Sequence, residues 1–229
     1  MPRYKIFTDA GHGGKDPGAV NGSIKEKDIT LKIVSKLNDL LRKEFEVETT
    51  RETDVFVDLS ERANRANKFG ANIFISIHAN SAPNKTAQGI ESLVFYKLGD
   101  TLKLANSLQE QLIKATGAID RGIKERQDLY VLKHTTMPAV LLETGFISHE
   151  IEKNKLSDDL YQSIISNAIR GVILAYFGIS NSDDINQLKK DLDFLKSRGI
   201  INTPEYWLET APKVKYLPEL LNRIANSAK

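Results

Sequence analysis

Short apolar runs alternate along the chain with longer segments in which apolar residues recur every three or four positions. Short runs of this kind are typical of strands, and the wider spacing is typical of helices with one buried face. The runs predict strands at residues 4–8, 45–49, 72–77, 91–96, 129–132 and 139–142. The wider spacing predicts helices at residues 29–41, 59–69, 101–115 and 160–173.

The alternation of predicted strands and helices indicates the class of fold. Helices that connect parallel strands cover the faces of the sheet, because each crossover must return the chain to the edge where the next strand begins. We therefore predict an α/β fold with three layers. Its centre is a mostly parallel, twisted sheet of about six strands, and helices lie on both faces.

A second, smaller unit is predicted at the C-terminal end. Residues 179–184 are polar and rich in helix-capping residues, which is typical of a domain boundary. Beyond this segment, apolar residues at helical spacing and the pair Thr203-Pro204, a typical helix start, predict a small all-helical unit. The predicted domains are therefore 1–178 and 179–229.

The role of the C-terminal unit is left open. Leu188, Leu192 and Leu195 share one helix face, which suits wall targeting, self-association or simple packing against a neighbour. Trp207 and its neighbour Tyr206 are interpreted as the core of this small unit, and the alternative is that they stack on a sugar.

The composition excludes several classes of protein. The 32 basic and 30 acidic side chains leave a formal net charge of +2, so no broad cationic surface predicts nucleic-acid binding. The sequence contains no cysteine, so any metal ion must be held by histidine, aspartate or glutamate. No apolar run approaches the roughly 18 to 20 residues that span a bilayer, and no export signal is visible, so membrane insertion is not expected.

Three ionisable side chains stand at or just beyond the ends of predicted strands. The first strand leads into a glycine-rich loop that contains His12, the third strand leads to His78, and the last leads to Glu143. Because the carboxyl ends of parallel strands meet at one edge of a sheet, these side chains are expected to lie there together. Glu26 follows the glycine-rich loop and can fold back toward His12.

This set of residues suits a zinc hydrolase. Two imidazoles and one carboxylate, with a fourth position left for water, form a known catalytic zinc arrangement, and a second carboxylate can act as the base. The residues alone leave open how Glu26 and Glu143 divide these roles. Glu143 is the more informative of the two, because a carboxylate that ends a buried apolar strand costs free energy unless it has a partner or a function.

Each residue also has a simpler explanation when taken singly. A histidine after a strand can cap or pack, and Glu26 suits a helix N-terminus, where the helix dipole favours negative charge. The glycine-rich loop at residues 11–14 could bind phosphate, although it lacks the Lys-Ser or Lys-Thr ending of a P-loop.

The other histidines, and three charged residues near the second helix, are expected to have structural rather than catalytic roles. His134 and His149 lie in polar surroundings and are expected at the surface. Arg51, Asp54 and Arg62 are expected to form a structural ion pair near the start of the second helix, in preference to binding substrate.

Taken together, these residues resemble the zinc-dependent N-acetylmuramoyl-L-alanine amidases of the amidase-3 type, enzymes of bacteria and phages that cut the peptide stem from peptidoglycan. The resemblance covers residues 5 to about 177. The segments that carry it are Asp9-Ala10-Gly11-His12-Gly13-Gly14, Asp16-Pro17-Gly18-Ala19, Glu26-Lys27-Asp28, Thr50-Arg51, Ser76-Ile77-His78-Ala79-Asn80 and Leu141-Leu142-Glu143-Thr144-Gly145-Phe146.

The resemblance implies that His12, Glu26 and His78 bind one zinc ion per chain and that Glu143 is the catalytic glutamate. It also implies cleavage of the amide bond between the lactyl group of N-acetylmuramic acid and L-alanine. Two alternatives stay open. One is a zinc hydrolase that acts on another cell-wall amide, such as a carboxypeptidase or a deacetylase, and the other is a cell-wall binding protein without activity.

Two further residues are expected to contact the substrate. The stem peptide and lactyl group carry carboxylates and amides, which the amide of Asn80 and the guanidinium of Arg121 can bind. Because no export signal is visible, the protein is expected to stay in the cytoplasm until lysis and then to act on the cell wall. A phage endolysin and a mother-cell lytic enzyme both fit this expectation.

Overall fold

The structure is a computed structural model, and it describes residues 3–179, 182–205, 207, 221–222 and 224–226; for residues 182–187 it describes only the backbone. The contacts within the chain group it into two compact units, Met1–Ile173 and Leu174–Lys229. The functional division at residue 178 stays a prediction.

The elements alternate as the apolar pattern predicts. The strands are β1 (Lys5–Ala10), β2 (Val20–Asn21), β3 (Ile24–Lys25), β4 (Glu46–Thr49), β5 (Ile73–Asn80), β6 (Ile90–Val94), β7 (Asp120–Glu125) and β8 (Ala139–Phe146). The helices are α1 (Glu26–Leu41), α2 (Leu59–Phe69), α3 (Gly99–Thr116), α4 (Tyr130–His134), α5 (Glu150–Ser157), α6 (Asp159–Tyr176) and α7 (Ser182–Ser197).

Six of the strands form one sheet in the order β4-β1-β5-β8-β6-β7. The strands β4, β1, β5 and β8 are parallel, β6 is antiparallel to β8, and β7 is parallel to β6. A separate hairpin joins β2 and β3. The prediction of a mostly parallel six-stranded sheet is therefore confirmed, and four strands end at the same edge.

Helices cover both faces of this sheet, as predicted. On one face, Phe7, Phe74, Leu93 and Leu141 of the strands form a fully buried core with side chains of α2 and α4. Each such buried side chain contributes about 1.5–3 kcal/mol relative to an exposed one. On the other face, α1 packs on β1 and β5, and α3 packs on β6 and β7.

Helix α2 spans the predicted residues because local signals mark both ends. The side chain of Asp58 accepts a hydrogen bond from the Ser60 backbone N–H at the start, which satisfies one of the free donors of the first turn. Gly70 ends the helix in the left-handed conformation, with φ of 68°, where a side chain would be strained.

The strand predicted at residues 129–132 is wrong, because Tyr130–His134 form the short helix α4. A run of four apolar residues does not distinguish a buried strand from a buried turn of helix. Val131 and Leu132 are buried, but they belong to a helix. The remaining strand of the sheet is Asp120–Glu125, which the prediction missed. It is a polar edge strand, so it lacks the apolar run that marks a buried strand.

The second unit has a small apolar core of its own. Leu188, Leu192, Leu195, Leu221 and Ala225 are buried in it. Trp207 is partly buried and packs against this core, which agrees with its interpretation as a core residue. Tyr206, its predicted partner, lies outside the described residues.

Among the described residues, none of the helices combines the length and the apolar character that crossing a bilayer requires.

A buried ion pair joins α2 to β1. Arg62 Nη1 donates to Asp9 Oδ1 at 2.7 Å, and the two side chains are only 3% and 1% exposed. Asp9 also accepts a hydrogen bond from Ser76 Oγ at 2.6 Å. Burial opposes the charged form of Asp9, but Arg62 and Ser76 outweigh it, so the pKa of Asp9 lies below its usual value.

The ion pair predicted among Arg51, Asp54 and Arg62 is therefore wrong in its partners. Arg62 pairs with Asp9, and Asp54 instead pairs with Lys27 at 2.6 Å. Arg51 donates to backbone carbonyl oxygens of the glycine-rich loop and of α1. The partners lie far apart in the sequence, so their spacing gives no indication of which groups meet.

Replacing Arg62 with methionine is expected to lower the free energy of unfolding by about 3–5 kcal/mol, because Asp9 then stays buried without its cation. Urea denaturation at pH 7 measures this loss. The ion pair contributes its full stabilisation above the pKa of aspartate in the unfolded chain, about 3.9. This stabilisation is lost as pH falls through the pKa of Asp9 in the folded protein, which is lower. The difference between wild type and Arg62→Met should therefore shrink in strong acid.

The matched control is Arg65→Met. Arg65 lies on the same helix, but it donates to the carbonyl oxygens of Thr49 and Thr50 at 2.8 Å and forms no ion pair with any carboxylate that the structure describes. This variant should lose less stability, and its difference from wild type should not shrink in acid. Equal losses in the two variants would contradict the role assigned to the buried pair.

Candidate metal centre

Strands β1, β5 and β8 end side by side at one edge of the sheet. His12 lies two residues beyond β1, and His78 lies near the end of β5. Glu143 of β8 is the direct neighbour of His78 in the strand register. The structure thus brings together the three side chains that the strand ends predict.

Glu26 lies between the two histidines and completes the cluster. Its Oε2 is 3.1 Å from His12 Nε2, and its Oε1 is 2.8 Å from His78 Nδ1. One donor atom from each of the three residues lies within 4.8 Å of the others. Two imidazole nitrogens and a carboxylate oxygen at this separation can converge on one metal ion.

Glu26 is held in place by its position at the start of α1. Its side chain is buried and also accepts backbone hydrogen bonds from Ala19, at 2.9 Å, and from Ala79, at 3.0 Å. Burial opposes its charge, but the hydrogen bonds with His12 and His78 outweigh this, so the pKa of Glu26 lies far below its usual value. The carboxylate is therefore ionised.

The same contacts act on the proton affinity of His78. Burial lowers the pKa of an imidazole, but the hydrogen bond and charge of Glu26, together with the charges of Glu143 and Asp9, outweigh burial and raise the pKa of His78 to about 9. The carboxylate of Glu26 therefore stabilises positive charge at His78.

The backbone around His12 is strained and tightly held. His12 has a φ of 60°, which is uncommon for a residue with a side chain. Arg62 Nη2 donates to the carbonyl oxygen of His12 at 2.8 Å, and Arg51 Nη2 donates to that of Gly11 at 2.9 Å. His12 Nδ1 lies 2.8 Å from Asp16 Oδ2, and a carboxylate on the far nitrogen is the usual partner of a metal-binding histidine.

Two glycines, one in the glycine-rich loop and one just after it, make room for the cluster. A Cβ on Gly11 would lie 2.4 Å from Cε1 of His78, and a Cβ on Gly18 would lie 2.6 Å from Oε2 of Glu26. Only glycine allows this approach, and the φ of 64° at Gly18 also favours it. The glycines therefore serve the histidine and glutamate cluster, which removes the reason to assign them to phosphate binding.

Glu143 lies beside the cluster without taking part in it. The residue keeps some exposure, but its Oε2 atom is buried and has no hydrogen-bond partner among the described residues. Burial raises the pKa of Glu143 to about 7, although His78 acts in the opposite direction. A buried carboxylate oxygen that lacks a partner next to three metal donors fits a group that meets water or substrate.

A cavity of about 370 Å³ opens onto this cluster. Its walls include His12, His78 and the apolar side chains of Phe56, Leu59 and Tyr130. These three apolar residues are exposed at the surface. They were not predicted as site residues, because isolated apolar residues in loops and at helix ends form no periodic pattern.

The two predicted substrate contacts, on β5 and β7, share one partner. Asn80 Nδ2 donates to Glu91 Oε1 at 3.1 Å, and Arg121 Nε donates to Glu91 Oε2 at 2.7 Å. Glu91 is the direct neighbour of Glu143 in the antiparallel register of β6 and β8. Glu91 was not predicted as a site residue; a carboxylate near the start of an apolar strand could have marked it, as the carboxylate at the end of a predicted strand marked Glu143.

The other two histidines lie outside the cluster. His134 is exposed and stacks on Tyr130, with ring centroids 4.0 Å apart. His149 is partly buried and caps the N-terminus of α5, where it accepts from the Glu152 backbone N–H at 3.4 Å. The surface interpretation fits His134, and His149 has a structural role at the helix end.

Comparison with known proteins identifies relatives of the first unit. The family model Amidase_3, described as N-acetylmuramoyl-L-alanine amidase, matches residues 6–175. The chain is 42% identical over 164 residues to an endolysin of Bacillus phage SPP1, covering 68% of this chain and 59% of the phage protein. It is 38% identical over 171 residues to the sporulation-specific N-acetylmuramoyl-L-alanine amidase of Bacillus subtilis (strain 168), covering 73% and 64%. The chain thus spans about three-fifths of the length of these two relatives.

Solved structures of similar fold are also amidases. The catalytic domain of CwlV, an N-acetylmuramoyl-L-alanine amidase from Bacillus (Paenibacillus) polymyxa var. colistinus, is 35% identical with a TM-score of 0.74, covering 77% of this chain and 99% of that domain. An N-acetylmuramoyl-L-alanine amidase from Clostridium difficile 630 is 34% identical with a TM-score of 0.75, covering 79% and 100%. The chain belongs to the Amidase_3 family of N-acetylmuramoyl-L-alanine amidases.

Proposed function

We propose that the chain hydrolyses the amide bond between the lactyl group of N-acetylmuramic acid and L-alanine in peptidoglycan, with one zinc ion bound by His12, Glu26 and His78. The observation that carries this proposal is the convergence of three metal donors beside the unpartnered carboxylate oxygen of Glu143. Membership of the amidase family supports the choice of bond.

The donor set fits zinc in number and kind. Three protein ligands made of two histidines and one glutamate leave a position open for water, as in catalytic zinc sites. Asp16 on the far nitrogen of His12 fits the outer contact that orients a metal-binding imidazole. A zinc ion bound here would polarise the scissile carbonyl and lower the pKa of water from about 15.7 toward roughly 7.

The roles of the two glutamates follow from their surroundings. Glu26 is ionised and engages both histidines, which suits a metal ligand. Glu143 has a pKa of about 7, so its carboxylate can both take and return a proton near neutral pH. It accepts the proton of the attacking water as the new C–O bond forms, and it then protonates the nitrogen that leaves when the C–N bond breaks. The products are a free lactyl carboxylate and a new alanine amino terminus.

The competing functions are less well supported. A carboxypeptidase or deacetylase could use the same metal donors, but the relatives named above are N-acetylmuramoyl-L-alanine amidases and an endolysin. A binding protein without activity would have no use for a buried, unpartnered carboxylate oxygen beside the donors, because such a group costs stability. Peptidoglycan is therefore the proposed partner, and the cell wall is the proposed place of action.

The two predicted domains are proposed to have different roles. We assign catalysis to residues 1–178, and we assign wall targeting or self-association to residues 179–229. Because Trp207 packs on the core of the second unit, a sugar-stacking role for this residue has less support than a packing role. A phage endolysin and a mother-cell lytic enzyme remain the two biological settings that suit this function.

Glu143→Gln is expected to lower the rate of cleavage by about 10²–10⁴-fold, because the base and acid of the reaction is lost while the shape of the side chain is kept. The rate is measured as new alanine amino termini released from purified cell walls, without new reducing sugar ends. The metal content of the variant should stay near that of wild type, as measured by plasma mass spectrometry. A variant that loses its metal would instead identify Glu143 as a ligand.

The control for this experiment is Glu48→Gln. Glu48 is an exposed glutamate in the edge strand β4, so the same chemical change is made away from the cluster. Cleavage by this variant should match that of wild type. A similar fall in both variants would mean that the effect of Glu143→Gln does not arise from the proposed proton transfer.

His12→Ala is expected to remove both metal binding and activity, because two donors cannot replace the three that meet in the cluster. Metal content after dialysis and cleavage of purified walls are measured on the same samples. His134→Ala is the matched control, since His134 is exposed and lies outside the cluster. Full activity of wild type after complete removal of metal would refute the metal-dependent mechanism.

A further inference from the structure

A row of side chains crosses the sheet beside Glu143. His78 of β5 is the register neighbour of Glu143 in β8, and Glu143 is the register neighbour of Glu91 in β6. Register neighbours project from the same face of a sheet, with Cβ atoms about 4.5–5.5 Å apart. Glu91 therefore flanks Glu143 on the side away from the proposed metal ligands.

Glu91 is buried and binds two cations. Its Oε2 accepts hydrogen bonds from Arg121 Nε at 2.7 Å and from Lys124 Nζ at 2.6 Å. The single negative charge of Glu91 is thus paired with the two positive charges of Arg121 and Lys124. These three side chains together carry a net charge of +1. The Arg121 and Lys124 side chains are 31% and 43% exposed, so this excess charge faces the solvent at the rim of the sheet.

The backbone of β7 directs Arg121 toward this position. The register pairs Ile90 with Asp120 and then Ser92 with Ile123, so β7 carries one extra residue opposite Glu91. The extra residue forms a bulge, and bulges re-aim side chains at functional sites. Gly122 in this bulge has a φ of 73°, which a glycine adopts without strain.

The surroundings of Arg121 restrict its side chain further. Its guanidinium lies over the ring of Phe146, 4.7 Å from the ring centre. A Cβ on Gly89 would lie 2.9 Å from Cγ of Arg121, so only glycine leaves room for the arginine. The buried side chain of Glu152 accepts hydrogen bonds from the backbone N–H groups of Gly89, at 2.8 Å, and Phe146, at 2.7 Å. These contacts hold Arg121 in one conformation before any ligand arrives.

Part of the guanidinium is left available. Arg121 Nε donates a hydrogen bond to Glu91, and Arg121 Nη1 donates only a long hydrogen bond, of 3.4 Å, to the carbonyl oxygen of Gln88. Nη2 makes no hydrogen bond within the part of the chain that the structure describes. An arginine with free N–H groups, fixed in orientation and next to a lysine, suits a carboxylate ligand.

We propose that Arg121 and Lys124 form a subsite for the free carboxylate of the stem residue that follows L-alanine. This inference rests on the proposed function, because L-alanine then lies at Glu143. Neighbouring strands are about 4.8 Å apart, and Arg121 reaches back to Glu91, one strand away from Glu143. An extended peptide advances about 3.3–3.6 Å per residue, so one to two residues span this distance. Glu91 acts as the positioning residue of the subsite.

The test compares two N-acetylmuramoyl peptides of the same sequence. The residue after L-alanine carries a free α-carboxylate in one peptide and a carboxamide in the other. The zinc-loaded full chain is expected to prefer the carboxylate peptide by about tenfold in kcat/KM, since a charge-assisted hydrogen bond is lost with the carboxamide. In Arg121→Ala, and separately in Lys124→Ala, this preference should fall toward one, mainly through KM for the carboxylate peptide.

The control variant is Lys103→Ala, which removes one positive charge near the start of α3. This helix follows β6, which is antiparallel to β8, so Lys103 lies at the opposite edge of the sheet. Its preference should equal that of wild type. The subsite is overturned if Arg121→Ala and Lys124→Ala lower kcat/KM equally for both peptides. It is also overturned if the wild-type chain shows no preference between the peptides. If Arg121→Ala does not fold, Lys124→Ala decides the question, because the lysine side chain is more exposed.

A binding measurement separates the subsite from the proposed reaction. Calorimetry on the Glu143→Gln chain gives the dissociation constants of both peptides without turnover. A wild-type chain that cleaves neither peptide overturns the proposed function, and the calorimetric preference then still supports or refutes the carboxylate subsite on its own.

Discussion

The candidate site depends on the parallel pairing of β1, β5 and β8. Because these neighbouring strands run in the same direction, the residues at their carboxyl ends arrive at one rim, although they come from three distant parts of the sequence. The pairing is secured on one face by buried aromatic and aliphatic side chains and at the rim by the Asp9–Arg62 ion pair. A shift of one residue in the β5–β8 register would turn Glu143 to the other face and separate it from His78.

The rim contains several features that lower the stability of a fold. Among the described residues, one carboxylate oxygen of Glu143 is buried without a hydrogen-bond partner, and His12 has a strained backbone. Glycines stand where a Cβ would clash with the cluster, and they lose more conformational entropy on folding than other residues. Two arginines offset these costs by binding the carbonyl oxygens of the loop around His12. Such a concentration of unfavourable local choices is expected where function, rather than stability, selects the residues.

The sequence predicts those parts of the molecule that local patterns control. The bounds of α2, the α/β class and the common edge of His12, His78 and Glu143 follow from apolar spacing, capping residues and strand ends. Long-range partners do not follow in this way. Arg62 reaches Asp9 across 53 positions, and Glu91 gains its meaning only when β6 is known to be antiparallel to β8. The edge strand β7 is polar and at most partly buried, so it lacks the apolar run that identifies a buried strand.

Because β6 runs antiparallel to β8, the rim has two parts. One part is formed by the carboxyl ends of the parallel strands, and the other is formed by the starts of β6 and β7. His12, Glu26 and His78 lie in or next to the parallel strands β1 and β5 and at the start of α1, while Arg121 and Lys124 lie on the outermost strand, which has a single neighbour. Mutations, insertions or recombination in this outer strand can therefore alter substrate preference while the metal-binding elements keep their packing. The proposed subsite can in this way change at one border of the fold.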